Sequence, residues 1–294
     1  MPFEAQPHDL LVPFTGDFRI DHVDTHPPKD IPGKNHLRER LAALADELNE
    51  LQRRFYARDQ RALLLIFQAM DAAGKDSTIR AVMTGIDPAG CYVHGFKQPR
   101  EDELQHDFLW RTTLRLPSKG MIGIFNRSYY EEVLVVRVHP EYLKAQRLPE
   151  TKTSDAFWEQ RLESIRDHEH HLARNGTVIL KFWLNVSREE QRQRFISRLE
   201  EADKHWKFKE QDVEESKHWH KYMQAYEAAL NATSRPWAPW YAIPADDKPY
   251  MRVCVAEIIV DTLKRMNLDY PELDAETRKR FKALERQLKE ETNK

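Results

Sequence analysis

The sequence predicts an α/β protein, a three-layer sandwich in which a parallel sheet of about five strands lies between helices. Three observations predict it. Residues 63–67 (LLLIF) are an uninterrupted apolar run of strand length, as expected for a strand covered on both faces. Further short apolar runs at 91–96, 121–125, 177–184 and 239–243 alternate with segments of helical period, and such alternation implies parallel strands joined by helices. The first strand stops in small residues and a lysine, the order of strand, loop and helix that a phosphate-binding turn requires.

The 294 residues suffice for one large domain with an appendage. Lys plus Arg (46) nearly balance Asp plus Glu (48), so a nucleic-acid partner is not expected and any polyanion must be held by a local basic patch. The two cysteines, Cys91 and Cys254, have neither metal-ligand spacing nor a disulfide framework. No run approaches the roughly 18 apolar residues of a membrane span, and the first residues lack the pattern of a signal peptide. The expectation is a helix-rich cytoplasmic protein with no membrane partner.

Residues 1–34 hold six prolines and read as an extended N-terminal arm, compatible with lying on its own domain or on a neighbouring subunit. Residues 35–270 read as one P-loop nucleotide-kinase-like domain. Its first helix carries Leu37, Leu41, Leu44, Leu48, Leu51 and Phe55 on one stripe, with Asn35 as the expected N-cap.

The loop after the first strand is Asp71, Ala72, Ala73, Gly74 and Lys75, and Asp76, Ser77, Thr78 and Arg80 open the next helix. Small residues let backbone N–H groups approach phosphate oxygens, the helix N-terminus adds partial positive charge, and the lysine neutralises anionic oxygens. Against G-x-x-x-x-G-K-[ST], Ala69 stands at the first glycine and Asp76 at the magnesium-binding hydroxyl, so this is not an ordinary ATP-splitting loop.

A second strand at 91–96 and an amphipathic helix over 101–116 follow. The strand at 121–125 ends in Asn126, Arg127, Ser128, Tyr129, Tyr130 and Glu131. Polar groups there face the ligand crevice of an open α/β sheet. An amide or carboxylate in that place helps hold magnesium, and an arginine neutralises charge on a moving phosphoryl group; Asn126 equally suits the cap of the next helix.

A helix over 154–174 leads into the strand at 177–184, which Lys181 interrupts. Such a lysine must emerge near an edge or find an anionic partner, phosphate or carboxylate. Ser187 and Glu190 form a capping box for a helix rich in arginine, ending at Arg198. Residues 198–215, where Lys204, Lys207 and Lys209 interleave with Trp206 and Phe208, read as a helical lid over phosphates. Asp212 and Glu215 then signal a helix with Tyr222, Tyr226 and Leu230 on its apolar stripe. C-terminal helices at 249–268 and 271–294 complete the chain, the latter striped with Phe281, Leu284 and Leu288.

AMDAAGKDST at 69–78, GIFNRSYYEEVLVVRVHPE at 123–141, LKFWLNVSREEQ at 180–191, DKHWKF at 203–208 and APWYAIPADDK at 238–248 together resemble the family-2 polyphosphate kinases, specifically their class III members. The resemblance implies reversible transfer of the terminal phosphoryl group of inorganic polyphosphate to AMP and ADP, with magnesium or manganese as cofactor. By the same resemblance Asp71, Asn126 and Glu131 would serve the metal, Lys75 and Arg127 would neutralise the transferred group, and Glu131 would alternatively support the shorter acceptor. Arg80, Lys181, Arg198, Lys204 and Lys207 would line the polyphosphate path, and Arg137 would contact acceptor phosphate. The apolar first helix and the arm favour a homo-oligomer, a dimer or tetramer. Two competing readings are an ATP-dependent kinase of the same fold and a non-catalytic RNA- or phosphate-binding module.

Overall fold

The structure is a computed structural model that describes residues 3–149 and 153–292. Its elements in chain order are α1 (Lys34–Arg58), β1 (Ala62–Gln68), α2 (Lys75–Val82), β2 (Cys91–Gly95), α3 (Trp110–Thr113), β3 (Ile122–Asn126), α4 (Val135–Val138), α5 (Asp155–Arg174), β4 (Thr177–Asn185), α6 (Arg188–Glu200), α7 (Glu210–Ser216), α8 (Trp219–Thr233), β5 (Trp240–Pro244), α9 (Lys248–Lys264) and α10 (Ala275–Thr292). The five strands form one parallel sheet in the order β2-β3-β1-β4-β5. The central β1 is buried along its whole length, which explains its unbroken apolar run. One helical layer is built on α1, α2 and α9, the other on α4, α5 and α8. Among the described residues, no helix is long and apolar enough to cross a membrane.

Three local expectations are corrected. The N-cap of α1 is Gly33, one residue before the helix begins at Lys34, and Asn35 lies inside it. The helix expected over 101–116 is instead a 3-10 turn at Glu103–Gln105 followed by α3. There the Glu103 carboxylate accepts from the Arg100 N–H (2.9 Å) and the Asp107 carboxylate from the Leu109 N–H (2.9 Å), local bonds that compete with helix. The turn after β3 is capped by Ser128, whose Oγ accepts from the Tyr130 N–H at 3.1 Å, leaving Asn126 for another task.

The arm lies on its own domain. The Val12 N–H donates to the Trp240 carbonyl (2.9 Å), and the Ala242 N–H to the Leu10 carbonyl (2.8 Å), so the arm seals the open edge of β5. Farther along, Phe18 packs edge-on against Trp183, and Thr25 donates to Asp246 at 2.7 Å. Val12 and Phe18 are both buried. Deleting residues 3–26 should therefore destabilise the domain by about 3 kcal/mol or more and promote association through the bared edge. A thermal melt with light scattering checks this; an unchanged melt would refute the arm's structural role.

Candidate functional site

Strands β1 and β3 are neighbours with Phe67 level with Asn126, so the loop after one and the polar turn after the other open on the same crevice. β1 is also flanked by β4, from the other half of the chain. That is the topological switch point at which open α/β sheets bind ligands.

The loop is shaped by backbone. Ala72 (φ 61°) and Gly74 (φ 106°) are left-handed, and a Cβ on Gly74 would lie 3.3 Å from Met251 Cε. Arg194 of α6 clamps it, donating through Nη1 to the carbonyls of Ala72 (3.1 Å) and Ala73 (2.6 Å), through Nη2 to Ala245 (2.7 Å) and through Nε to Glu190 (2.7 Å). Gln191 donates to the Asp71 carbonyl at 2.9 Å. With the carbonyls of Asp71, Ala72 and Ala73 turned toward α6, the loop directs toward an anion its N–H groups other than that of Ala73, which donates to the Met70 carbonyl (3.3 Å), and those opening α2 ahead of Thr78.

Lys75 is buried, and its ammonium donates to the carbonyls of Ala69 (2.7 Å) and Met70 (3.3 Å). Burial, and secondly Arg127, push its pKa down, while Asp71 and Glu131 oppose the shift. Arg127 (φ 64°) stands between two carboxylates, donating through Nη2 to Asp71 Oδ1 (2.7 Å) and through Nη1 to Glu131 Oε2 (3.2 Å). The Glu131 charge foremost raises the Arg127 pKa against the cost of burial. Asn126 donates from Nδ2 to Asp76 Oδ1, tying the two halves of the site together. Behind them Gln68, fully buried, is oriented to donate to Glu131 Oε1 (2.9 Å) and to accept from Ser128 Oγ and N (3.1 Å each).

Not every expected residue reaches this crevice. Lys181, assigned to the polyphosphate path, is completely buried in an interior strand: its ammonium bonds Glu169 Oε2, the Tyr130 hydroxyl (2.9 Å) and the Thr233 carbonyl (2.9 Å). Its anionic partner is a carboxylate on α5, and no phosphate reaches it. Thr78 is also corrected: its side chain is fully buried, with Oγ1 3.8 Å from Met251 Sδ. Ser77 Oγ donates to the Gly74 carbonyl at 3.0 Å, and Arg80 is exposed. On the lid, Arg198 pairs with Asp212 (3.4 Å) and Lys204 with Glu201; the side chain of Lys207 lies outside the described residues. Arg137 is half-buried on α4, its guanidinium 5.9 Å from the Trp158 ring centre.

Tertiary structure adds cations that the sequence reading left unassigned. Burial first, then Arg194 and Arg80, lower the pKa of Arg252; burial, then Arg194, with Lys204 and Arg252 adding to them, lower that of Lys248. Like charges thus converge beside the loop from α2, α6, the lid and α9, far apart in sequence. For Gln191 and Arg194 the available sequence signal is their i, i+3 spacing on one helix face.

Asp71, Asn126 and Glu131 do not form a metal cage, because Arg127 separates the two carboxylates, and no group of three His, Cys, Asp or Glu among the described residues could hold a metal. Magnesium needs only one or two carboxylates when substrate phosphates complete its shell. Asp71 and the exposed Asp76 at the loop mouth fit that chemistry.

Comparison with known proteins bears on the family of the chain. The family model described as polyphosphate kinase 2 matches residues 33–271. The chain is 50% identical over 256 residues to a protein of Rhodopseudomonas palustris named ADP-polyphosphate phosphotransferase (87% of this chain, 89% of that one). It is 44% identical over 247 residues to one of Meiothermus ruber named AMP/ADP-polyphosphate phosphotransferase (84% and 88%). The crystal structure of polyphosphate kinase 2 from Arthrobacter aurescens TC1 superposes with a TM-score of 0.85 at 36% identity, covering 96% of this chain and 98% of that one. A family match running through all five strands, with relatives 44% and 50% identical over more than four fifths of each chain, places this chain in the polyphosphate kinase 2 family.

Proposed function

We propose that the chain moves the terminal phosphoryl group of inorganic polyphosphate to AMP and ADP, reversibly, as a class III member of its family. The carrying observation is Arg127 bonded at once to Asp71 and Glu131 at the mouth of the phosphate loop. Phosphoryl transfer demands positioning and charge neutralisation more than covalent chemistry. The loop N–H groups and Lys75 would hold the transferred group, and Arg127 would meet its equatorial charge. Asp71 would orient the acceptor oxygen. The cations around Arg80, Lys248 and Arg252, with Arg198 and Lys204 of the lid, would carry the donor chain, which offers no base to recognise. Arg137 would contact acceptor phosphate. Magnesium, or manganese, held by Asp71 with Asn126 and Asp76 nearby, would neutralise bridging phosphate oxygens. The name of the Meiothermus relative supports both acceptors.

The test is nucleotide analysis after incubation with AMP, magnesium and long-chain polyphosphate, without ATP. ADP followed by ATP is expected. Unchanged AMP and ADP, with turnover on ATP, would favour the ATP-dependent kinase; RNA binding without transfer would favour the binding module. Glu131→Ala should lower kcat/KM for AMP about tenfold more than for ADP, read by parallel initial rates; equal losses would remove its acceptor role.

A cytoplasmic setting accords with the two free cysteines. A homo-oligomer, dimer or tetramer, accords with α10, which buries no residue and exposes Phe281, Leu284 and Leu288.

A further inference from the structure

The lid is held by polar contacts. Helix α7 buries none of its side chains, so apolar burial does not decide where this helix sits. Within the lid, Arg198 of α6 pairs with Asp212 of α7 at 3.4 Å, joining the two stems. Another contact leaves the lid. Glu215, near the end of α7, accepts on a single oxygen, Oε2, from the Tyr222 hydroxyl (2.8 Å) and from His139 Nε2 (2.9 Å).

The two donors differ in what they fasten. Tyr222 is a buried residue of α8, and its bond orients the carboxylate across the turn between the helices. His139 belongs to the other half of the site, two residues beyond Arg137 at the end of α4. Its ring is stacked on Tyr142 (centroids 5.5 Å apart, 27°), with Nδ1 3.3 Å from Glu141 Oε1, and meets His218, just past α7, edge-on (centroids 5.1 Å apart). A hydrogen bond to a charged carboxylate is worth more than a neutral one. Here one carboxylate joins the element carrying donor-side cations to the segment carrying the acceptor-side arginine.

We propose that Glu215 is a positioning residue which, through His139, couples the polyphosphate lid to the Arg137 segment, so that the donor and acceptor sides are set together. The proposal rests on the functional reading above, in which lid and Arg137 meet different substrates. Neither Glu215 nor His139 touches the reacting phosphates in this scheme. Loss of the contact releases the lid and lets the Arg137 segment shift, weakening both substrates while the loop, Lys75 and Arg127 stay in place.

The experiment compares full-length wild type, Glu215→Ala, His139→Phe (which keeps a ring on Tyr142) and the double variant. KM for long-chain polyphosphate and KM for ADP should each rise about tenfold in either single variant, with kcat falling less and the melting temperature little changed. The double variant should be no worse than the singles, because both remove the same contact. Additive losses, or a rise in one KM alone, would overturn the coupling. Should the wild type transfer nothing from polyphosphate, the functional reading fails by itself, and limited trypsinolysis at Lys204 and Lys209 then tests the tether. Both singles and the double variant should be cut about tenfold faster than wild type; equal rates would overturn it.

Discussion

Replacing Lys75 by alanine should reduce polyphosphate-driven phosphotransfer by about 10³-fold, the scale on which one pre-aimed charge-stabilising donor acts, while the protein still folds. The ammonium touches only carbonyl oxygens of its own loop among the described contacts, and its neighbourhood holds Arg127 as well as Asp71 and Glu131. Burial holds its pKa below the ordinary lysine value, so the site disfavours the very charge that an incoming phosphate would restore. Removing the side chain leaves no buried carboxylate without a partner, since Asp71 and Glu131 remain bonded to Arg127. The loss should therefore appear in kcat and in kcat/KM, measured by steady-state initial rates, with little change in a thermal melt. Turnover close to wild type would remove Lys75, and with it the phosphate loop, from the chemistry.

Replacing Lys181 by methionine should do the reverse: destabilise by about 3–5 kcal/mol, the cost of stranding one member of a buried ion pair, without a specific effect on the donor. Glu169 Oε1 already accepts from the hydroxyls of Tyr129 and Tyr130 (2.9 Å each), and Lys181 supplies the cation on Oε2. Burial drives the Glu169 pKa up and the Lys181 pKa down to about 8, each opposed by the partner's charge. The pair supports Tyr129 and Tyr130, two of the three residues between Arg127 and Glu131, so the network underlies the site without entering it. Denaturant unfolding measures the loss. A normal unfolding midpoint together with a raised KM for polyphosphate would return Lys181 to the donor path.

The contrast between the two lysines shows what was legible in the chain. Lys75 stands at a strand end in a run of small residues opening a helix, a local pattern whose geometry follows from about ten consecutive residues. Lys181 announced only that it needed a place near an edge or an anion. Whether that anion was substrate or protein depended on the face of β4 from which it projects and on Glu169, whose place on α5 is fixed by packing rather than by spacing from residue 181. Thr78 failed in the same way, because its hydroxyl is covered by Met251 from α9.

By itself the sequence determined the alternation of five strands with helices, the phosphate loop, and the polar turn after β3, because each is encoded by hydrophobic period and turn chemistry over short stretches. Tertiary structure decided everything that depends on which surfaces meet: the arm on the β5 edge, the clamp of Arg194 and Gln191 on the loop, the gathering of Arg80, Lys248 and Arg252, the bridge of Arg127 between Asp71 and Glu131, and the tie of Glu215 to His139. Such pairings join residues far apart in the chain, and their partners are chosen by the register of the sheet and the packing of helices upon it.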